Sequence, residues 1–101
     1  MMLYKIAYSQ EAFDDLNMIY RYIASKSFDL KIAGRFVKKL KNAIESLQAF
    51  PLRHPKIEIS FRGSKEVRQF VTTNYLILYI VDSLKNAVTI IGILSCKQDK
   101  N

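Results

Sequence analysis

The sequence predicts an α+β fold of order βααβββ: an antiparallel helical hairpin packed on one face of a largely antiparallel four-stranded sheet. Three observations carry this reading. Apolar residues recur at helical spacing in two segments between Ser9 and Pro51. Period-two runs then follow at 67–72, 75–81 and 88–94, joined only by Thr73-Asn74 and by a polar 82–86 link. Links that short leave room only for hairpins, which makes a three-strand meander. The middle run is apolar on both faces, with Tyr75, Ile77, Tyr79 and Val81 on one and Leu76, Leu78 and Ile80 on the other. One helical layer covers one face of a sheet, so the second face of so small a chain is expected to need a partner.

Each element follows from its own residues. Leu3-Tyr4-Lys5-Ile6-Ala7-Tyr8 reads as a first strand. Ser9 supplies a hydroxyl for the orphan N–H groups of a helix start, and Glu11, Asp14 and Asp15 suit its dipole. Ala12, Phe13, Leu16, Ile19, Tyr20 and Ile23 form the apolar stripe of that helix, which runs to about Lys26. Asp29 caps a second helix with the stripe Ile32, Ala33, Phe36, Val37, Leu40, Ala43, Ile44 and Leu47. Pro51, lacking an N–H, stops it. The short 25–28 link makes the two helices antiparallel neighbours. Residues 52–66 read as a loop with a short strand at 57–61 and a turn at Gly63-Ser64.

The 101 residues are expected to form one domain over 1–101, and half of them are hydrophobic, so the chain is globular. No apolar run approaches the roughly 20 residues that span a bilayer, and the start lacks the pattern of a signal peptide. Membrane association is therefore not expected. A single cysteine, Cys96, excludes an internal disulfide and suits a reducing, cytoplasmic setting. The net charge of +7 arises from 16 basic and 9 acidic residues spread over both halves. That favours nucleic acid, an anionic site or an acidic protein as partner, or serves only solubility.

His54 and Cys96 do not make a zinc site, which needs three or four convergent ligands. No metal or cofactor is expected. There is no nucleophile elbow, no phosphate-cradling glycine loop and no paired-carboxylate arrangement. Arg53, Lys56, Arg62, Lys65 and Arg68, set against Glu58 and Glu66, read either as an anion-binding edge or as a solvated loop. Arg68 stands out because alternation places it with Phe70 and Thr72 on a sheet face. Lys31, Arg35, Lys38, Lys39 and Lys41 read as the polar face that an amphipathic helix requires, with a secondary role in docking an acidic partner.

LQAFP at 47–51, a glycine-containing loop, VRQF at 67–70, NYLILYIVD at 74–82 and VTIIGIL at 88–94 together resemble the RelE/ParE superfamily of bacterial toxins. The likeness covers about residues 4–96. It implies a type II toxin–antitoxin module, in which a basic toxin is held inactive by a cognate antitoxin, acidic and partly disordered, in a hetero-oligomer. On this reading the antitoxin lies on the helical hairpin and sheet, at Phe13, Ile19, Tyr20, Arg35, Tyr75, Ile77 and Tyr79. Within the superfamily, RelE-like members are ribosome-dependent messenger-RNA endoribonucleases. Such cleavage needs an acid, a base and cations for the phosphorane, and the tail from Ser95 offers no Tyr or His. The resemblance therefore points to the ParE branch, whose members inhibit DNA gyrase by binding. Arg53, Lys56, Arg62, Lys65, Arg68 and Lys97 would then face the target. In the ribonuclease alternative, Arg68 and Lys97 are the charge-stabilising catalytic pair. A third reading is an inactive relative kept only as a partner-binding module.

Overall fold

Ser9 sits in extended backbone and its Oγ accepts the Ala12 N–H at 3.1 Å, which opens the first helix as expected of an N-cap. In the computed structural model, which describes residues 3–63 and 66–96, this helix is α1, Gln10–Ser27, and it follows strand β1, Lys5–Tyr8. Asp29 caps α2, Leu30–Glu45, by accepting the Lys31 N–H at 2.8 Å. Between the helices Phe28 takes the left-handed conformation (φ 55°) and donates its N–H to the Ala24 carbonyl. The hairpin turn is thus a single left-handed residue.

The second helix ends earlier than its apolar stripe suggested. It gives way to a 3-10 turn at Ser46–Gln48, followed by another at Pro51–Arg53. Ser46 Oγ donates to the Ala43 carbonyl at 2.6 Å, satisfying a carbonyl of the last turn and letting the chain tighten there. Leu47 is still carried into the core, fully buried.

Strands β2 (Val67–Thr72), β3 (Tyr75–Asp82) and β4 (Ala87–Ser95) form the meander. Thr73 and Asn74 both have positive φ (48° and 67°), the geometry a two-residue hairpin demands. The sheet order is β1-β4-β3-β2, with β1 parallel to β4 from Lys5 opposite Ala87 to Tyr8 opposite Ile90. The sheet is therefore mixed, two antiparallel pairings and one parallel. The short strand expected at 57–61 is displaced toward its start. Lys56 bridges Arg68, Ile57 N–H donates to Val67, and Gln69 N–H donates to Pro55. Pro55 has no N–H to carry this pairing further along β2.

Register decides which residues are buried. Ala12, Leu16 and Ile19 of α1 and Leu40 and Ile44 of α2 close over Ile77, Tyr79, Val88, Ile90 and Ile93. A fully buried Leu or Ile contributes about 2 kcal/mol. The opposite face carries Leu76, Leu78 and Ile80, half-buried, and Val71 and Leu94, exposed at 60% and 49%. A register shift at Leu78/Tyr79 marks a bulge in the β3–β4 ladder. Near it the carboxylate of Asp15 accepts the Ile93 N–H at 2.9 Å, so α1 holds the irregular strand directly.

Two residues assigned by sequence to an antitoxin surface are corrected here. Ile77 and Tyr79 have no exposed surface, while Ile19 keeps 7%. Alternation groups Ile77 and Tyr79 correctly on one face, but that is the face the protein's own helices cover.

Candidate functional site

Among the described residues, two surfaces gather candidate site residues: a basic margin beside β2 and a groove between α1 and the far end of the sheet.

The basic margin is built around the segment after α2. Arg53 curls back and donates to the carbonyls of Ala49 and Phe50 and to the Ser46 hydroxyl. It thereby caps the carbonyl end of the tightened helix, a favourable place for a cation. Arg68 extends from β2 and donates to the His54 carbonyl at 2.6 Å and the Leu52 carbonyl at 3.2 Å. Its cross-strand partner Tyr79 donates its hydroxyl to the Pro51 carbonyl at 2.6 Å. Arg68 and Tyr79 thus hold residues 51–54 against the sheet by their backbone carbonyls, while Arg53 ties the segment to the end of α2. His54 stacks on Phe70 at 4.3 Å between centroids and meets Tyr79 edge-on. Burial, and then the charge of Arg53, lower the pKa of His54, so the ring favours its neutral form. Burial raises the pKa of Tyr79 despite the nearby Arg68 and Arg53.

Lys56 and Arg62 are more exposed. Lys56 pairs with Glu66 at 3.3 Å and Arg62 with Glu11 at 2.8 Å, across surfaces where an ion pair is worth about 0–1 kcal/mol. Arg62 also lies over the Phe61 ring, and Gly63 turns the chain at φ 86°. Of the sequence-predicted cations, the structure gathers Arg53 and Arg68 at the 49–54 segment. Lys56 and Arg62 lie further along the loop. Lys65 and Lys97 lie outside the described residues.

The groove has a volume of about 620 Å³. Asp15, Met18 and Tyr22 of α1 form one wall, and Phe36 and Tyr75, edge-to-face at 5.8 Å, form another. Thr73, Asn74 and Ser95 give it a polar rim. Burial, and secondarily Tyr22, raise the pKa of Tyr75. Of the residues expected to meet a partner, Tyr75 and Ile19 line this groove. Phe13 and Arg35 are exposed and Tyr20 is half-buried. Sequence reading missed Asp15, Met18 and Tyr22 as groove residues. Their spacing of three and four places them on one stripe beside the core stripe of α1, a signal that widened its apolar face.

Among the described residues there is no cluster of three or more His, Cys, Asp or Glu suited to a metal. No helix there is long and apolar enough to cross a membrane. Residues 6–100 match the family model for the ParE toxin of the type II toxin–antitoxin system, parDE. The chain belongs to this family. It is similar in structure to a chain of the chromosomal ParDE system from P. aeruginosa, with TM-score 0.74 and 15% identity over 94% of this chain and 98% of that one. A chain of the RelBE2 toxin–antitoxin complex from Mycobacterium tuberculosis gives 0.63 and 19%, covering 96% and 97%. One from the archaeal RelE–RelB complex of Pyrococcus horikoshii OT3 gives 0.55 and 15%, covering 97% and 100%. At these identities the likeness establishes a shared fold. No curated protein matches the chain in sequence. This ParE-family chain is a type II toxin of the RelE/ParE superfamily, two helices on a four-stranded mixed sheet.

Proposed function

We propose that this ParE-family toxin acts in the cytoplasm as a binding protein that inhibits DNA gyrase, and that a cognate antitoxin neutralises it. The match of residues 6–100 to the ParE model carries the reading. Two features of the molecule support it. Arg68, which a ribonuclease would turn toward a scissile phosphate, instead donates to the carbonyls of Leu52 and His54. The charge of +7 favours acidic or anionic partners and speeds their encounter.

The antitoxin is proposed to cover two places: the groove with Tyr22, Phe36 and Tyr75, and the open sheet face with Val71, Leu76 and Leu94. A disordered acidic segment gains apolar burial and charge pairing on folding there. Phe13, Tyr20 and Arg35 extend this surface along the hairpin. Toward the target, Lys56 and Arg62 are the exposed cations whose surface carboxylates an anionic partner could replace; Lys65 and Lys97 are proposed as further target-binding cations from the sequence alone. Arg53 and Arg68 shape the same margin by holding its backbone.

Induced expression in a bacterium tests the reading. The expected sequence is loss of plasmid supercoiling and DNA-damage signalling before any fall in protein synthesis, with purified toxin inhibiting gyrase supercoiling. Immediate arrest of translation with cut messages would assign the chain to ribonuclease action. Unchanged growth would leave a partner-binding module alone.

A further inference from the structure

The groove beside α1 holds an acidic group in a strongly basic protein. Among the described residues that line it, Asp15 is the one that carries a charge. Its carboxylate is oriented, because Oδ2 accepts the Ile93 N–H at 2.9 Å. One N–H uses only one of a carboxylate's roughly four acceptor positions. The remaining walls are aromatic: Tyr22, which is 53% exposed, and the Phe36–Tyr75 edge-to-face pair. Burial, and then the neighbouring Tyr22, raise the pKa of Tyr75.

We propose that this groove seats a single arginine side chain carried by the antitoxin, its guanidinium bonded to Asp15 and lying against the rings of Tyr22, Phe36 and Tyr75. The proposal rests on the antitoxin reading above and adds the chemistry of one anchor. A guanidinium matches the set better than the alternatives. It is planar, stacks on aromatic faces, stays charged and presents a fork of donors to a carboxylate. An aliphatic anchor would bury Asp15 without a counter-charge, which is unfavourable. An acidic anchor would meet Asp15 as a like charge. The protein already shows the preference within itself: Lys26 Nζ lies over the Tyr22 ring at 5.6 Å from its centroid. Lys26 takes that ring from within its own helix, so the seat for an incoming cation lies toward Asp15, Phe36 and Tyr75. One basic anchor is compatible with an antitoxin segment that is acidic overall, since the seat reads a single side chain.

The test titrates the isotope-labelled toxin with N-acetyl-argininamide and with N-acetyl-citrullinamide, its neutral counterpart of nearly the same shape, following backbone amides by NMR. The expected result is saturable shifts at Asp15, Tyr22, Tyr75 and Ile93 with the arginine compound, and affinity about ten-fold weaker for the citrulline compound. Asp15→Asn keeps an acceptor for the Ile93 N–H and should reduce arginine binding to the citrulline level. Tyr22→Leu, at a half-exposed position, should weaken it by a smaller factor, while Asp82→Asn on the exposed end of β3 leaves it unchanged. Equal binding of the two compounds would overturn the proposal. So would stronger shifts at the same amides with N-acetyl-leucinamide, arginine binding untouched by Asp15→Asn, or no shifts in the groove. The antitoxin reading fails by a different measurement: no complex between the toxin and the protein of the adjacent reading frame. That result leaves the titration unaltered.

Discussion

Arg68 shows how a charge that sequence reading turns toward a partner also serves its own backbone. Its guanidinium holds two carbonyls of the 52–54 segment, and hydrogen bonds from a charged donor are worth about 1.5–3 kcal/mol. Arg68→Ala is therefore expected to lower the urea-unfolding free energy by about 2 kcal/mol, with Arg68→Lys recovering part of the loss. Charge reversal at Arg68 should abolish growth inhibition. If Arg68→Lys keeps near-native stability yet also loses toxicity, the residue touches the target as well as its own loop. His54 gives a pH signature. Its folded pKa lies below the usual 6.5, and its Nε2 is buried without a hydrogen-bond partner among the described residues. The unfolded chain thus binds the proton more readily, and stability should fall as pH drops below about 6.5 toward the folded value. Denaturation midpoints at pH 7.5 and 5.5 measure this. His54→Phe, which keeps the stack on Phe70, should flatten the slope across that window.

At the scale of elements, much was legible because the signals are local. The caps Ser9 and Asp29, the hairpin at Thr73-Asn74 and the first residues of β2 and β3 follow from spacing and turn chemistry, and the structure places them there. What local pattern cannot supply is which face of a strand the helices take. Alternation separated Tyr75, Ile77 and Tyr79 from Leu76, Leu78 and Ile80, yet both sets are equally apolar. Only the packing of α1 and α2 distinguishes them. The tightened end of α2 was hidden for a similar reason, since Arg53 reaches it from beyond the helix. The helical hairpin also carries a testable cost. Phe28 is left-handed at φ 55° and 94% exposed, in a position that glycine fills with least strain. Phe28→Gly should raise stability by about 1 kcal/mol, or about 4–8 °C in Tm for a domain of this size. A calorimetric scan showing a lower Tm would mean that the Phe28 ring contributes more than its backbone costs.

For the whole molecule, the balance of cover and charge decides behaviour. The helices bury one side of the sheet, and the other presents Val71, Leu76 and Leu94 toward solvent. The two-sided apolar β3 is what leads the sequence reading to expect a covering partner, since exposed apolar patches mark interaction sites. Val71→Lys, at a site 60% exposed, should change unfolding free energy by less than about 0.5 kcal/mol. It should nevertheless weaken capture of the antitoxin in a pull-down at equal protein concentration. Intact capture would show that the antitoxin leaves this side of the sheet open. The margin cations predict a second behaviour. Association with an acidic partner should slow as salt rises, since exposed charges are screened beyond about 8–10 Å at physiological ionic strength; stopped-flow mixing at two salt concentrations measures it.

Strand β1 has a single neighbour in the sheet, β4, the last of the described strands in sequence order. During synthesis β1 and both helices leave the ribosome before the piece that joins them to the meander exists. The helices lack their floor of Val88, Ile90 and Ile93 until then. Until β4 slots in beside β1 the hairpin has nothing to rest on, so this one strand acts as the keystone of the whole domain.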